Sequence, residues 1–162
     1  MLFRSRYDNL QLAKKVSLNS AYGAMGSQYF RFYDLRQALG VTTAGQLSIR
    51  WIENKLNQFM NNLIGSKNVD YVIASDTDSI YLRLGELINK FGLNRMDDTE
   101  KTIGIMDKIC EQKIQPFIDT SYQELAEYVK AFEQKMQMKR EGLSDKGIWT
   151  AKKRYILNVY NN

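Results

Sequence analysis

A chain of 162 residues, 44% hydrophobic and 25% charged, has enough apolar mass for one folded domain with a core and does not have the composition of a disordered protein. The absence of histidine excludes Ser-His and Cys-His nucleophile pairs and histidine zinc sites, and a single cysteine, Cys110, excludes an internal disulfide. A formal charge of +5 favours a polyanionic partner, and no apolar run reaches bilayer length, so the sequence reads as a soluble, intracellular protein with no membrane partner.

Residues 7–21 carry Leu10, Ala13, Leu18 and Ala21 at mostly three- to four-residue intervals, which predicts a helix ending in a turn that contains Gly23 and Gly26. Asp34 is a suitable N-cap for a second, longer helix that runs to Ile64 before Gly65, with Ile49, Ile52, Leu56, Phe59 and Leu63 on one face. Residues 69–75 and 79–84 are rich in β-branched and aromatic side chains and read as two antiparallel strands around an acidic turn. Residues 99–135 look helical, interrupted near Pro116, and Cys110 falls in their apolar pattern as a buried small hydrophobe. Residues 136–140 and 147–160 alternate like strands, with Ile148, Tyr155, Leu157 and Val159 as candidate inward positions. Helices packed on an antiparallel sheet give an α+β class. The positive charge gathers near the start (Arg4, Arg6, Lys14, Lys15) and the end (Lys135, Lys139, Arg140, Lys146, Lys152, Lys153, Arg154).

The acidic turn reads Asp76-Thr77-Asp78-Ser79. On the strand side, alternation puts residues 76 and 78 on one face with Thr77 turned away, an arrangement suited to a divalent cation. Oxygen ligands favour magnesium, which borrows further oxygens from substrate phosphates, so phosphoryl transfer is the first chemistry to consider. Asp, Thr and Ser are equally ordinary turn residues that bond to local backbone, so these four residues leave a structural turn and a metal site both open.

A second motif, Lys15-Val16-Ser17-Leu18-Asn19-Ser20-Ala21-Tyr22-Gly23, sets Lys15, Asn19 and Tyr22 at helical spacings of four and three, presenting an ammonium, an amide and a phenol together. By spacing alone this is either a ligand-facing surface or a solvated helix face. The pattern Lys-x-x-x-Asn-Ser-x-Tyr-Gly, followed some fifty residues later by Asp-Thr-Asp-Ser, resembles motifs B and C of the family B DNA polymerases. Gly23-Ala24-Met25-Gly26, Phe32-Tyr33-Asp34-Leu35-Arg36 and Ala151-Lys152-Lys153-Arg154-Tyr155 are similar to the T4-like bacteriophage branch. The resemblance covers essentially the whole chain in the family's order.

The resemblance implies that residues 1–24 are the C-terminal part of a fingers helix and residues 25–162 a palm domain. Lys15 would reach the phosphates of an incoming dNTP, Asn19 would lie on the same side, and Tyr22 would pack beneath the nascent base pair. Gly23 would allow close backbone approach to DNA. Asp78 would bridge two magnesium ions, Asp76 would support them, and Glu141 would be a supporting acid. Lys152, Lys153 and Tyr155 would hold the primer end, with Lys153 counted beside Asp76 and Asp78 as catalytic. The implied reaction is template-directed nucleotidyl transfer from dNTP to a primer 3′-hydroxyl on primer-template DNA, in the cytoplasm of an infected bacterial host if the protein is phage-encoded.

Three positions depart from the pattern: Ser75 stands for the usual glycine, Lys139 for a family acid, and Asn161 where the phage enzymes tend to carry aspartate. The aspartate motif resembling Asp-x-x-Ser-Leu-Tyr-Pro-Ser, which would complete the magnesium ligands, is not in this chain. Nor is there room for the exonuclease, the N-terminal domain, the first fingers helix or the thumb. The isolated chain is therefore expected not to polymerise and to need the remainder of the polymerase. The alternatives are one piece of a split polymerase or a non-catalytic nucleic-acid-binding remnant.

Overall fold

The computed structural model describes residues 2–76, 78–93, 99–151 and 153–161, with side chains omitted at 2–5, 99 and 161. Its element order is α1 (Leu2–Met25), α2 (Leu35–Ile64), β1 (Val72–Asp76), β2 (Ser79–Leu82), α3 (Gly85–Lys90), α4 (Thr99–Ile109), α5 (Gln115–Tyr128), β3 (Leu143–Ala151) and β4 (Arg154–Asn161). This is an α+β chain with two antiparallel two-stranded sheets, β1-β2 and β3-β4. It divides into two compact units, one up to Gln46 and one from Leu47 onward.

In the first unit, α1 runs through Gly23 and stops at Met25, so of the two glycines expected in the turn only Gly26 lies beyond the helix. Asp34 then caps α2: its Oδ1 accepts from the backbone N–H of Arg36 at 3.0 Å and from Arg36 Nε at 3.1 Å. The guanidinium of Arg36 holds the Asp34 carboxyl below its ordinary range.

The second unit is built on the last part of α2. Ile52, Leu56 and Met60, one turn apart, are fully buried or nearly so, and each such burial contributes about 1.5–3 kcal/mol. Ile52 and Leu56 pack with Cys110, Ile114, Ile118, Tyr122 and Leu125, while Met60 packs with Tyr71, Leu87, Leu93 and Met106. Phe59 stacks on Phe117 at 4.4 Å, and Trp51 Nε1 donates to the Ser121 carbonyl at 2.9 Å. Burial pushes the Cys110 thiol up from its ordinary pKa.

Two asparagines of α2 fix the entry to β1. Asn61 donates to the Val69 carbonyl at 2.7 Å while its Oδ1 accepts from the Val69 N–H at 3.0 Å. One turn earlier, Asn57 Oδ1 accepts from the Tyr71 N–H at 2.8 Å, and its Nδ2 donates to Asp70 at 2.8 Å. The α2 helix ends as expected at Gly65, whose φ of +82° suits a residue without Cβ.

Four sequence expectations need correction. Pro116 does not interrupt the helical stretch: a π turn, Cys110–Ile114, joins α4 to α5, and Pro116 sits in the first turn of α5, where its missing N–H is harmless. That stretch ends at Tyr128 and does not reach residue 135. Its end is a Schellman motif, with Ala131 N–H donating to the Ala126 carbonyl at 2.8 Å and Lys130 to Glu127 at 3.1 Å, and Lys130 at φ +52° where glycine is usual. Residues 136–140 form no strand, because no described strand lies beside them to complete a ladder. Residues 147–160 are not one strand but most of the β3-β4 hairpin, and there Ile148, Tyr155 and Val159 are exposed while Leu157 is half-buried. A two-stranded sheet without a covering layer leaves both faces wet.

Candidate active site

The acidic hairpin is short and tightly registered. Asp76 pairs with Ser79, so Asp78 lies in the turn beyond the ladder; Thr77 is outside the described residues. Asp76 is half-buried at the end of β1, and Asp78 is exposed. Strand alternation therefore governs Asp76 but not Asp78.

Beside this loop, a cleft of about 510 Å³ is lined by Asp78, Ser79, Tyr81, Lys139 and Glu141 over a floor that includes Leu56. Glu141 and Asp78, sixty-three residues apart in sequence, thus face one cavity. The unpaired segment carrying Glu141 is pinned on both sides. Gln115 Nε2 donates to the Met138 carbonyl at 2.8 Å, and Arg140 Nη2 meets Asp107 Oδ1 of α4 at 2.7 Å. Lys139, the departure noted in the sequence, brings an ammonium to the same cleft as the two carboxylates. Among the described residues no group of three or more His, Cys, Asp or Glu side chains could hold a metal ion. Asp78 and Glu141 are hard oxygen donors of the kind magnesium prefers.

The basic hairpin carries the lysine motif. Ala151 pairs with Arg154, and Lys153 lies in the turn between them; Lys152 is outside the described residues. Lys153 is exposed and has φ +62°, a conformation that costs an L-residue about 1–2 kcal/mol. Thr150 Oγ1 donates to the Arg154 carbonyl across the turn at 3.2 Å.

Tyr155 follows Arg154 and joins an aromatic cluster that the sequence reading missed. Its ring lies 5.4 Å from Tyr81 and 6.4 Å from Trp149, and Tyr81 and Trp149 are 5.4 Å apart, edge to face. A hydrogen bond to Tyr155, then burial and the charge of Glu141, push the Tyr81 phenol up to about 12. Strand periodicity marked Tyr81 only as part of an apolar run.

The third set of candidates lies on α1 in the first unit. Lys15 and Asn19 are exposed one turn apart, and Tyr22 follows, itself 41% exposed. The Tyr22 hydroxyl shares a hydrogen bond with Thr42 Oγ1 at 2.7 Å and lies 3.5 Å from the Ala38 carbonyl, to which Thr42 also donates at 3.0 Å, so its ring is held on α2. A Cβ at Gly23 would meet no atom within 4 Å. Nothing within the chain demands glycine there, although a mid-helix glycine costs roughly 1 kcal/mol against alanine.

The sequence profile of DNA polymerase family B matches residues 2–162. The chain belongs to that family. The DNA-directed DNA polymerase of Enterobacteria phage T4 is 41% identical over 93% of this chain, and that of Escherichia phage RB69 is 38% identical over 99%. The DNA polymerase delta catalytic subunit of Drosophila melanogaster is 34% identical over 51% of it. This family B chain spans less than a fifth of the length of the two phage relatives, 18% and 19%. Among the described residues of the segment, no helix is long and apolar enough to cross a membrane.

Proposed function

We propose that this family B segment is the part of a DNA-directed DNA polymerase that carries the end of the fingers (residues 1–24) and much of the palm (residues 25–162). The observation that carries the reading is the match over residues 2–162 to a family whose phage members are named DNA-directed DNA polymerases. The common cleft of Asp78 and Glu141 supports it.

In this reading Asp78 and Asp76 would hold magnesium through their carboxylate oxygens, Glu141 would be a supporting acid on the cleft that Asp78 lines, and an aspartate outside the chain would complete the set. Magnesium, when bound, supplies acidification of the primer 3′-hydroxyl and neutralises charge on the triphosphate. Lys15 contacts the phosphates of the incoming dNTP as a charge-assisted donor, with Asn19 beside it. Tyr22, its hydroxyl tied to Thr42, offers a fixed aromatic plate to the nascent base pair, and Gly23 leaves room for the duplex. Lys153, with Lys152, meets the DNA backbone as a sequence-independent point charge near the primer end, and Tyr155 steadies that hairpin. The partners are primer-template DNA, dNTP and the remainder of the polymerase, in the cytoplasm of an infected host.

The test is magnesium-dependent primer extension after mixing this chain with a separately made piece carrying the missing aspartate motif. Extension is expected from the mixture, none from the chain alone, and none from Asp78→Ala in the mixture. A stable complex that binds primer-template without extending it would overturn the catalytic reading in favour of a binding remnant.

A further inference from the structure

The acidic hairpin β1-β2 and the lysine hairpin β3-β4 belong to separate sheets, so no ladder of backbone bonds joins them among the described residues. Side chains do. Tyr81 leaves β2 and meets Trp149 of β3 and Tyr155 of β4, with both centroid distances at 5.4 Å. The indole has little freedom. A Cβ built on Gly147 would lie 2.7 Å from the Cη2 and Cζ3 atoms of Trp149 and 2.7 Å from Leu157 Cδ2, so the ring lies where a side chain would otherwise project. The buried Nε1 of Trp149 has no hydrogen-bond partner among the described residues, so the indole is held by packing alone.

We propose that Tyr81, braced by Trp149 seated on Gly147, is a positioning residue that sets the lysine hairpin against the acidic hairpin and so places the Lys153 ammonium for the DNA backbone. This rests on the proposed polymerase reading, in which Lys153 meets the primer end and Asp78 the metal. Tyr81 is suited to the role because it belongs to both sides. Ser79, two residues earlier on the same strand, hydrogen-bonds to its phenol, and so does Tyr155, one residue beyond Arg154. It also lines the cleft that holds Asp78 and Glu141. A phenylalanine at 81 would keep the ring contacts but lose the bond that fixes where Tyr155 sits.

The experiment is anisotropy of a fluorescein-labelled primer-template hairpin titrated with the full 162-residue chain across a salt series. Lys153→Ala is expected to weaken binding about tenfold and to reduce the log–log salt slope by about one, the value for one lost phosphate contact. Tyr81→Phe and Gly147→Ala are expected to lower affinity about fivefold and reduce the slope in the same direction. Combined with Lys153→Ala, neither should weaken binding further, since the contact they place is already gone. If Gly147→Ala does not fold, Tyr81→Phe decides, because it removes a single oxygen. Wild-type affinity and slope in Tyr81→Phe, or strict additivity with Lys153→Ala, would overturn the inference. No effect of Lys153→Ala, or no binding by the wild-type chain, would overturn the functional reading beneath it.

Discussion

The indole of Trp149 occupies the space above Gly147, with two ring carbons 2.7 Å from where a β-carbon would be. Leu157 closes the other flank at the same distance, so a methyl at 147 must displace the indole, the leucine or both. Gly147→Ala should therefore cost about 1–3 kcal/mol, the usual penalty of overpacking. Urea denaturation followed by near-ultraviolet circular dichroism would measure it, and an unchanged midpoint with an unchanged Trp signal would refute it.

Tyr81 yields a pH prediction. Its phenol is pushed up to about 12, first by the hydrogen bond to Tyr155. Because the folded value lies above the ordinary value of about 10, the associated stability is fully present below pH 10 and is lost as pH rises toward 12. The absorbance difference at 295 nm between wild type and Tyr81→Phe should centre near 12, and in a Tyr155→Phe background it should fall toward 10. A difference curve already centred at 10 in the wild-type background would rule out this hydrogen-bonded arrangement.

Lys153 sits at φ +62°, where glycine is unstrained. Lys153→Gly should raise stability by about 0.5–1 kcal/mol while weakening DNA binding. Thermal melts and anisotropy should move in opposite directions, and a destabilised variant would show that the turn geometry is not strained.

Asn61 ties the α2 end to the segment leading into β1 with four hydrogen bonds through its amide. Asn61→Ala strips partners from both backbone groups of Val69 and should cost about 2 kcal/mol. Hydrogen exchange should accelerate first at Val69 and along β1. Uniform acceleration across the chain would mean that the asparagine is not a local anchor.

Much of this fold was legible because periodicity and turn chemistry spoke together, as in α2 with Asp34 before it and Gly65 after it. The misreadings occur where residue types conceal a backbone event. Lys130 ends α5 in a conformation normally marked by glycine, and Lys153 sits between β3 and β4 with the same sign of φ and no Asn-Gly signal, so both read as continuous structure. Residues 136–140 alternate like a strand but are held by Gln115 and by Asp107, the ion-pair partner of Arg140, instead. Of the candidate site, motif spacing pointed to the acidic and lysine loops. Tyr81 and Trp149 were hidden, since an aromatic residue on a strand looks like core whether it fills space or joins two hairpins.

Lys139 places a cation in the cleft that also holds Asp78 and Glu141. Lys139→Asp changes the local charge by two and adds an oxygen ligand, so manganese binding by the chain, read from electron paramagnetic resonance, should tighten roughly tenfold. Unchanged affinity would place the lysine too far from the carboxylates to affect them.

The π turn at Cys110–Ile114 has a consequence for helical phase. Core residues recur every four positions, at Met106, Cys110, Ile114, Ile118 and Tyr122. In an uninterrupted α-helix each such step overshoots a full revolution by about 40°, so four steps would carry the last residue roughly 160° off the first. The extra residue of a π turn takes back about one residue's rotation, roughly 100°. The joined α4 and α5 can therefore keep one stripe facing α2 without supercoiling. Deleting one residue between 110 and 114 would restore regular winding and leave Ile118 and Tyr122 facing Ile52 and Leu56, because the lost residue's rotation equals what the π turn takes back.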